Sequence, residues 1–337
     1  MDKIQIANIL LTRRCNLRCD YCSIVRDYED MPKLYPNMKH YRDNELTSTK
    51  WIEIIDKLVL NNPNVFLIFY GGEPFLYNGL TDIIKHCHAR NVYYTIISNN
   101  TEEIQPKILQ LYKDVGKIRG FSASVDPELY GGYSSRKDHA IDKTIAGFKN
   151  LCLLKSQGIA EDVVAEMTVT SQNYTYLYDT VKILSENNIY SSITTIDLKK
   201  SNYYDFSTIK DEHLLVHKNE GVAKQFMDIM SDSSLKVHIP EMLIKLYGIL
   251  PCEMKCAIHK DLHNVTVDSD GTFRLCLRIR GVEFPKLKLN EIFSDSDKMI
   301  LPAARDAIKN DYNSLCRGCN HTCLLFSKYF SDGIVTH

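Results

Sequence analysis

The sequence contains no run of about 18 apolar residues, so no segment reads as a membrane span. It has almost no net charge: 41 basic residues against 42 acidic ones leave −1. That balance gives no field to draw in nucleic acid or an anionic membrane, and argues against both as partners. The opening Met-Asp-Lys-Ile-Gln-Ile lacks the charged-then-apolar pattern of a secretory signal. No internal repeat and no low-complexity segment interrupts the 337 residues. That length sets one large domain or two, and an apolar fraction of 44% is ordinary for a globular core. Cysteine is the exception to this plainness, with eleven in the chain. Without a secretion signal they argue against a disulfide framework and for a reducing, cytoplasmic setting. Their short spacings near both ends suit metal ligation. Cys87 and Cys152 stand apart within helical patterns and read as buried free thiols.

Cys15, Cys19 and Cys22 follow directly on the apolar run 4–11, with the spacing C-x3-C-x2-C. Three thiolates on one short loop can hold three irons of a 4Fe–4S cluster. No fourth cysteine lies in the loop, so one iron is left open to something other than protein. The alternative is zinc, which needs a fourth Cys or His, and none lies between Cys22 and His40. A second motif, Tyr70-Gly71-Gly72-Glu73-Pro74, ends the next apolar run. Its two glycines let backbone approach a ligand closely, and its proline fixes the exit of the chain. Taken alone it is a turn.

Six apolar, strand-like runs, 4–11, 65–70, 92–98, 118–125, 163–170 and 190–198, alternate with amphipathic stretches. The first helix is expected from Thr47 or Ser48, with Trp51, Ile54, Ile55, Leu58 and Val59 on one face. Others are expected near 80–90, 104–114, 140–157 and 174–186. This alternation predicts an α/β fold with a parallel sheet and right-handed crossovers. Six units are two short of a closed eight-fold barrel. Beyond residue 198 the pattern changes. The segment 201–206 reads as a linker, helices are expected over 209–230 and near 241–247, and Asp270-Gly271 marks a hairpin inside 265–276.

The cysteine loop and the Gly-Gly-Glu-Pro turn, one β/α unit apart, resemble the radical S-adenosylmethionine (radical SAM) superfamily. The resemblance implies a partial (β/α)6 TIM-like barrel and a SAM molecule chelated to the open iron. It assigns the SAM ammonium to the carbonyls of Gly71, Gly72, Glu73 and Pro74. Tyr21 is placed near the adenine, although a core tyrosine in a tight loop is the plainer reading. Ser98-Asn99-Asn100 stands where relatives often carry Thr-Asn-Gly, and 121–126 resembles a Ser-Leu-Asp-Gly turn. Ser122 and Ser124 from that strand end are therefore candidates for the SAM ribose and carboxylate, with Ser98 and Asn99 beside them. Arg136 is a candidate carboxylate partner, a bidentate role lysine would not reproduce, against a solvated loop arginine. Glu166 and Asp197, on the fifth and sixth strands, are candidate catalytic groups of a substrate cavity if they point inward. An outward Glu166 is the alternative.

Six further cysteines, Cys252, Cys256, Cys276, Cys316, Cys319 and Cys323, form a C-terminal set. It resembles the SPASM/twitch extension of radical SAM enzymes, which carries auxiliary 4Fe–4S clusters. Two fully ligated clusters need eight thiolates, so one auxiliary cluster is expected. By that pattern its ligands are Cys256, Cys276, Cys316 and Cys319, with Cys252 and Cys323 spare or substituting. A zinc ribbon is the alternative. The expected division is a barrel over 1–206, a helical connector over 207–251 and an auxiliary-cluster domain over 252–337. The resemblance implies an oxidoreductase or modifying enzyme fed by an external reductant such as flavodoxin or ferredoxin. Its expected substrate is a peptide or protein side chain, with a small molecule (aminocyclitol, sugar or amino acid) as the alternative. The cysteine loop begins at residue 12, leaving no room for an N-terminal leader-binding domain, which weighs against the peptide reading. An iron–sulfur electron carrier is the non-enzyme alternative, and the Gly-Gly-Glu-Pro turn argues against it, because a carrier needs no SAM pocket.

Overall fold

A computed structural model of the chain describes residues 4–19, 22, 24, 45–127, 136–137, 141–195, 216, 219–238, 264–271 and 273–274. In chain order its strands are β1 (Ile6–Thr12), β2 (Arg18–Cys19), β3 (Phe66–Gly71), β4 (Tyr94–Ser98), β5 (Ile118–Ser124), β6 (Arg136–Lys137), β7 (Ala160–Val169), β8 (Tyr190–Thr195), β9 (Val237–His238), β10 (Asn264–Val267) and β11 (Phe273–Arg274). The helices are α1 (Ser48–Asn61), α2 (Leu80–Ala89), α3 (Gln105–Val115), α4 (Ile141–Ser156), α5 (Leu177–Glu186) and α6 (Glu220–Ser231). The six expected strand–helix alternations are all present. The helix expected from residue 209 instead starts at Glu220, because the Asn219 side chain accepts from the Gly221 and Val222 amides and caps it. Those two bonds fix the first turn; 209–215 and 217–218 of the expected span lie outside the described residues.

One sheet organises the molecule, in the order β11-β10-β1-β3-β4-β5-β7-β8-β9. Eight of its strands run parallel and only β11 is antiparallel. Among the described residues the end strands β9 and β11 do not pair, so the sheet is open. The parallel part thus exceeds the six expected units by β9 and β10, which cover the backbone edges that β8 and β1 would otherwise leave unpaired. Among the described residues no helix is long and apolar enough to cross a membrane.

Alternation along the strands sorts the two faces. Ala7, Ile9 and Leu11 of β1, Leu67 and Phe69 of β3, Phe121 and Ala123 of β5, and Ala165 and Met167 of β7 join one buried cluster with the helices. Helix α1 adds Trp51, Ile54, Ile55 and Leu58 and is capped by Thr47, whose side chain accepts from Lys50 N. Each such fully buried aliphatic or aromatic side chain contributes about 1.5–3 kcal/mol. The intervening positions face the concave side. Asn8, Ile68, Thr95, Ile97, Ser124, Glu166, Thr168, Ser192 and Thr194 there are only half-buried. The hydrophobic layer therefore fixes the register that leaves a polar inner wall.

Candidate functional site

The loop after β1 lies where the parallel strands end, and two neighbouring turns clamp it. Gly72 N donates to Thr12 O and Glu73 N donates to Arg14 O, each at 2.7 Å. A Cβ at Gly71 would stand 2.2 Å from Thr12 O, and one at Gly72 would stand 2.1 Å from Arg14 O. The sequence suggested glycine here for close approach to a ligand. The geometry supplies a reason of its own: the turn closely approaches the backbone of the cysteine loop itself. Glu73 is fully buried. Its carboxylate accepts from Asn99 N at 2.8 Å, Phe75 N at 3.2 Å and Ser98 Oγ at 3.0 Å. Burial pushes this carboxyl up to about 7, and those three donors oppose the shift. Glu73 thereby fastens the Gly-Gly turn to the end of β4.

Asn99 continues the chain of bonds. Its Nδ2 lies 2.7 Å from Asn16 Oδ1 and 3.7 Å from Cys15 Sγ. Asn16 in turn donates to Thr101 Oγ1 at 2.9 Å and to Glu103 at 3.0 Å. Asn100 has φ 52°, the left-handed region that glycine or asparagine adopts most readily. Its side chain donates to Gly147 O and accepts from Asn150 Nδ2, tying α4 to this corner.

Cys15, Cys19 and Cys22 are free thiols, all half-buried. Cys22 N donates to Cys19 O at 3.1 Å, which folds the loop back on itself. Burial pushes the Cys15 thiol up to about 11; a bond from Leu17 N opposes this, and the nearby Glu73 and Cys22 add to it. Among the described residues no three Cys, His, Asp or Glu side chains stand gathered as a preformed metal site. The loop fits a cluster by its donor chemistry: three thiols, a sulfur already offered N–H donors by Leu17 and Asn99, and no protein oxygen or nitrogen in the set. Iron would deprotonate such thiols and draw the loop together as it bound.

Other sequence-selected residues fall into three groups. Ser122 and Ser124 lie on the inner face of β5. Ser122 Oγ pairs with Thr95 Oγ1 at 3.3 Å, and Ser124 stands in register with Glu166, which stands in register with Ser192. Glu166 thus faces inward. Burial pushes its carboxyl up to about 7, opposed by a hydrogen bond with Ser192. Arg136 is placed by backbone alone, opposite Cys19 in the small antiparallel pair β2–β6, so its strand lies against the cysteine loop. Tyr21, Asp197 and all six C-terminal cysteines, Cys252, Cys256, Cys276, Cys316, Cys319 and Cys323, lie outside the described residues. Two further residues were not singled out as candidates, although the motif at 121–126 already contained the first. Asp126, in the Ser-Val-Asp turn, is buried and accepts from Thr168 N at 3.2 Å. Arg13, beside the first cysteine, makes a buried ion pair with Asp268 at 2.6 Å.

Comparison with known proteins agrees with this geometry. Residues 9–152 match the family model of the Radical SAM superfamily. An uncharacterised protein of Methanocaldococcus jannaschii is 29% identical over 315 residues, covering 90% of this chain and 94% of its own. The structure of Streptococcus suis SuiB bound to precursor peptide SuiA superposes with a TM-score of 0.61 at 15% identity, covering 96% of this chain and 71% of SuiB. That of anSMEcpe with bound AdoMet and Cp18Cys peptide gives 0.57 at 16% identity, covering 96% and 88%. At those identities the two structures establish a shared fold. Residues 9–152 therefore carry a Radical SAM superfamily domain.

Proposed function

We propose that this enzyme abstracts hydrogen from a peptide or protein side chain, as a peptide-maturing modification or an oxidation. The observation that carries the reading is the open sheet, whose end strands do not pair. It leaves the polar inner wall reachable by an extended chain. The fold likeness to SuiB with its precursor peptide and to anSMEcpe with a peptide supports it. When bound, the cluster and SAM supply reductive cleavage to methionine and a 5′-deoxyadenosyl radical able to attack an unactivated C–H bond.

This chain's residues hold and orient those groups. Cys15, Cys19 and Cys22 hold the N-terminal cluster. The carbonyls of Glu73 and Pro74 already accept from Leu76 N and Tyr77 N. The SAM ammonium is therefore offered first to the carbonyls of Gly71 and Gly72. Ser124 and Arg136 serve its carboxylate, Ser98, Asn99 and Ser122 support the same strand ends, and Tyr21 covers the adenine. Glu166, with Ser192 behind it, presents a carboxyl near neutrality to the substrate side, where it holds a donor or accepts a proton; Asp197 is assigned beside it. A SPASM/twitch-like auxiliary cluster belongs to Cys256, Cys276, Cys316 and Cys319, with Cys252 and Cys323 in reserve, and an external flavodoxin or ferredoxin supplies electrons. The hydroxyl-rich inner wall, with Thr95, Thr168, Ser192 and Thr194 around one carboxylate, equally fits a polar small molecule, the second reading.

The test uses reconstituted protein under anaerobic, reducing conditions with SAM. Wild type forms 5′-deoxyadenosine, and the variant with Cys15, Cys19 and Cys22 all changed to Ala forms none. Product from the triple variant removes the assignment. Peptide and metabolite fractions from fully deuterated cells are then supplied in turn. Deuterium reaching 5′-deoxyadenosine from the peptide fraction supports the first reading; label arriving only from metabolites replaces it with the second.

A further inference from the structure

Arg13 and Asp268 lie 255 residues apart in sequence, yet they meet at 2.6 Å with side chains 8% and 0% exposed. Asp268 opens the turn between β10 and β11. The turn is rigidly built: Ser269 N donates to Asp268 Oδ1 and Gly271 N donates to Asp268 O, each at 2.8 Å. Gly271 takes φ 81° there. The turn also grips a third segment, because Leu46 N donates to Ser269 O at 2.9 Å. Leu46 O accepts from Tyr77 OH at 2.7 Å, and the neighbouring Glu45 accepts from Thr12 Oγ1 and pairs with Arg14 at 2.9 Å. Three separate stretches, 268–271, 45–46 and 72–77, thus close around Thr12, Arg13 and Arg14.

A buried ion pair adds little net stability over apolar packing, because desolvation offsets most of the attraction. What it supplies is direction. Arg13 sits between Thr12 O and Arg14 O, the two carbonyls that receive the Gly72 and Glu73 amides. Any shift of Arg13 moves the thiol loop and the Gly-Gly turn relative to each other. We propose that Asp268, acting through Arg13, is a positioning residue for the SAM-cleaving site, so that the C-terminal hairpin holds the thiol loop against the Gly71–Pro74 turn. The functional half of this proposal rests on the radical SAM reading; the structural half stands in the metal-free chain.

The test therefore has two arms, both on the full-length protein. In the metal-free chain, Asp268→Asn should speed hydrogen exchange at the Gly72 and Glu73 amides by about tenfold or more, while β4 and β5 amides keep their wild-type rates. In the iron-loaded enzyme the same variant should keep its iron content and weaken SAM binding by about tenfold or more, so that the SAM-induced change in the reduced cluster's EPR spectrum is lost at concentrations saturating for wild type. Wild-type exchange at Gly72 and Glu73 overturns the proposal, and so does wild-type SAM binding. Should Asp268→Asn fail to fold, Arg13→Met with Asp268→Leu replaces the pair by apolar groups that fill the space. That double variant should fold and still show fast exchange and weak SAM binding. If it behaves as wild type in both, packing alone suffices and the positioning role is refuted. A wild-type cluster indifferent to SAM would instead refute the radical SAM reading, leaving hydrogen exchange to decide the structural half.

Discussion

Gly72 is the tightest point of the site. A Cβ there meets Arg14 O at 2.1 Å and Arg13 O at 2.8 Å, both backbone atoms of a segment pinned on its far side by Asp268 and Glu45. Neither side can give way, so Gly72→Ala should separate the turn from the thiol loop. The expected result is loss of the N-terminal cluster together with SAM binding, followed by iron content and by visible absorbance after reconstitution. Full iron with only weakened SAM binding would mean that the glycine serves ligand approach, as the sequence first suggested. Asn99 matters for a different reason. Its backbone is fixed by Glu73 and its side chain reaches Cys15 Sγ, so one residue joins the Gly-Gly-Glu-Pro turn to the first thiol of the loop. Donors to a ligating sulfur tune a cluster's potential.

At the scale of elements, strand ends rather than strand bodies make the site, and each end is tied to a helix. Asn100 ends β4 and locks it to α4 through Gly147 O and Asn150. Asn100→Gly keeps the left-handed backbone and removes those bonds. It should cost about 1–3 kcal/mol by leaving buried polar groups unpaired, read as a lower urea midpoint with unchanged slope. An unchanged midpoint would show that water replaces the side chain at no cost. These elements were legible in the sequence because the code for them is local. The apolar runs marked β1, β3, β4, β5, β7 and β8 but not β6, and a Thr47 cap with apolar spacing marked α1. The Gly-Gly-Glu-Pro turn was legible as a motif, but its physical reason was not, since the atoms Gly71 and Gly72 avoid belong to residues about 60 positions earlier. The Arg13–Asp268 pair and the pairing of β10 with β1 were invisible for the same reason: no local periodicity encodes a partner 255 residues away. The start of α6 was misplaced because a single capping asparagine outweighed the apolar pattern before it.

Across the whole molecule, Glu166 and Glu73 each carry a carboxyl raised by burial to about 7 from its ordinary 4.5. Between those pH values the folded chain binds more protons at these groups than the unfolded chain does. Stability contributed by them is therefore present below about pH 4.5 and falls as pH rises toward 7. Glu166→Gln removes one ionisation without removing the side chain's bulk. It should raise the melting temperature at pH 7 relative to wild type and leave it nearly unchanged at pH 4.5. An equal shift at both pH values would indicate altered packing instead of linkage.

The order of the sheet also has a consequence in time. Val265, whose carbonyl accepts from the Asn8 side chain of β1, is synthesised 257 residues after it. At ribosomal rates that delay is on the order of tens of seconds. Throughout it, one edge of β1 lacks its final neighbour, and the three thiols beside it stand at an unfinished wall. On the function proposed above, a cluster donor would meet the loop before β10 has paired with β1. Early loading and late closure are built into the strand order, and a stalled or shortened chain would expose both its reactive thiols and an aggregation-prone edge.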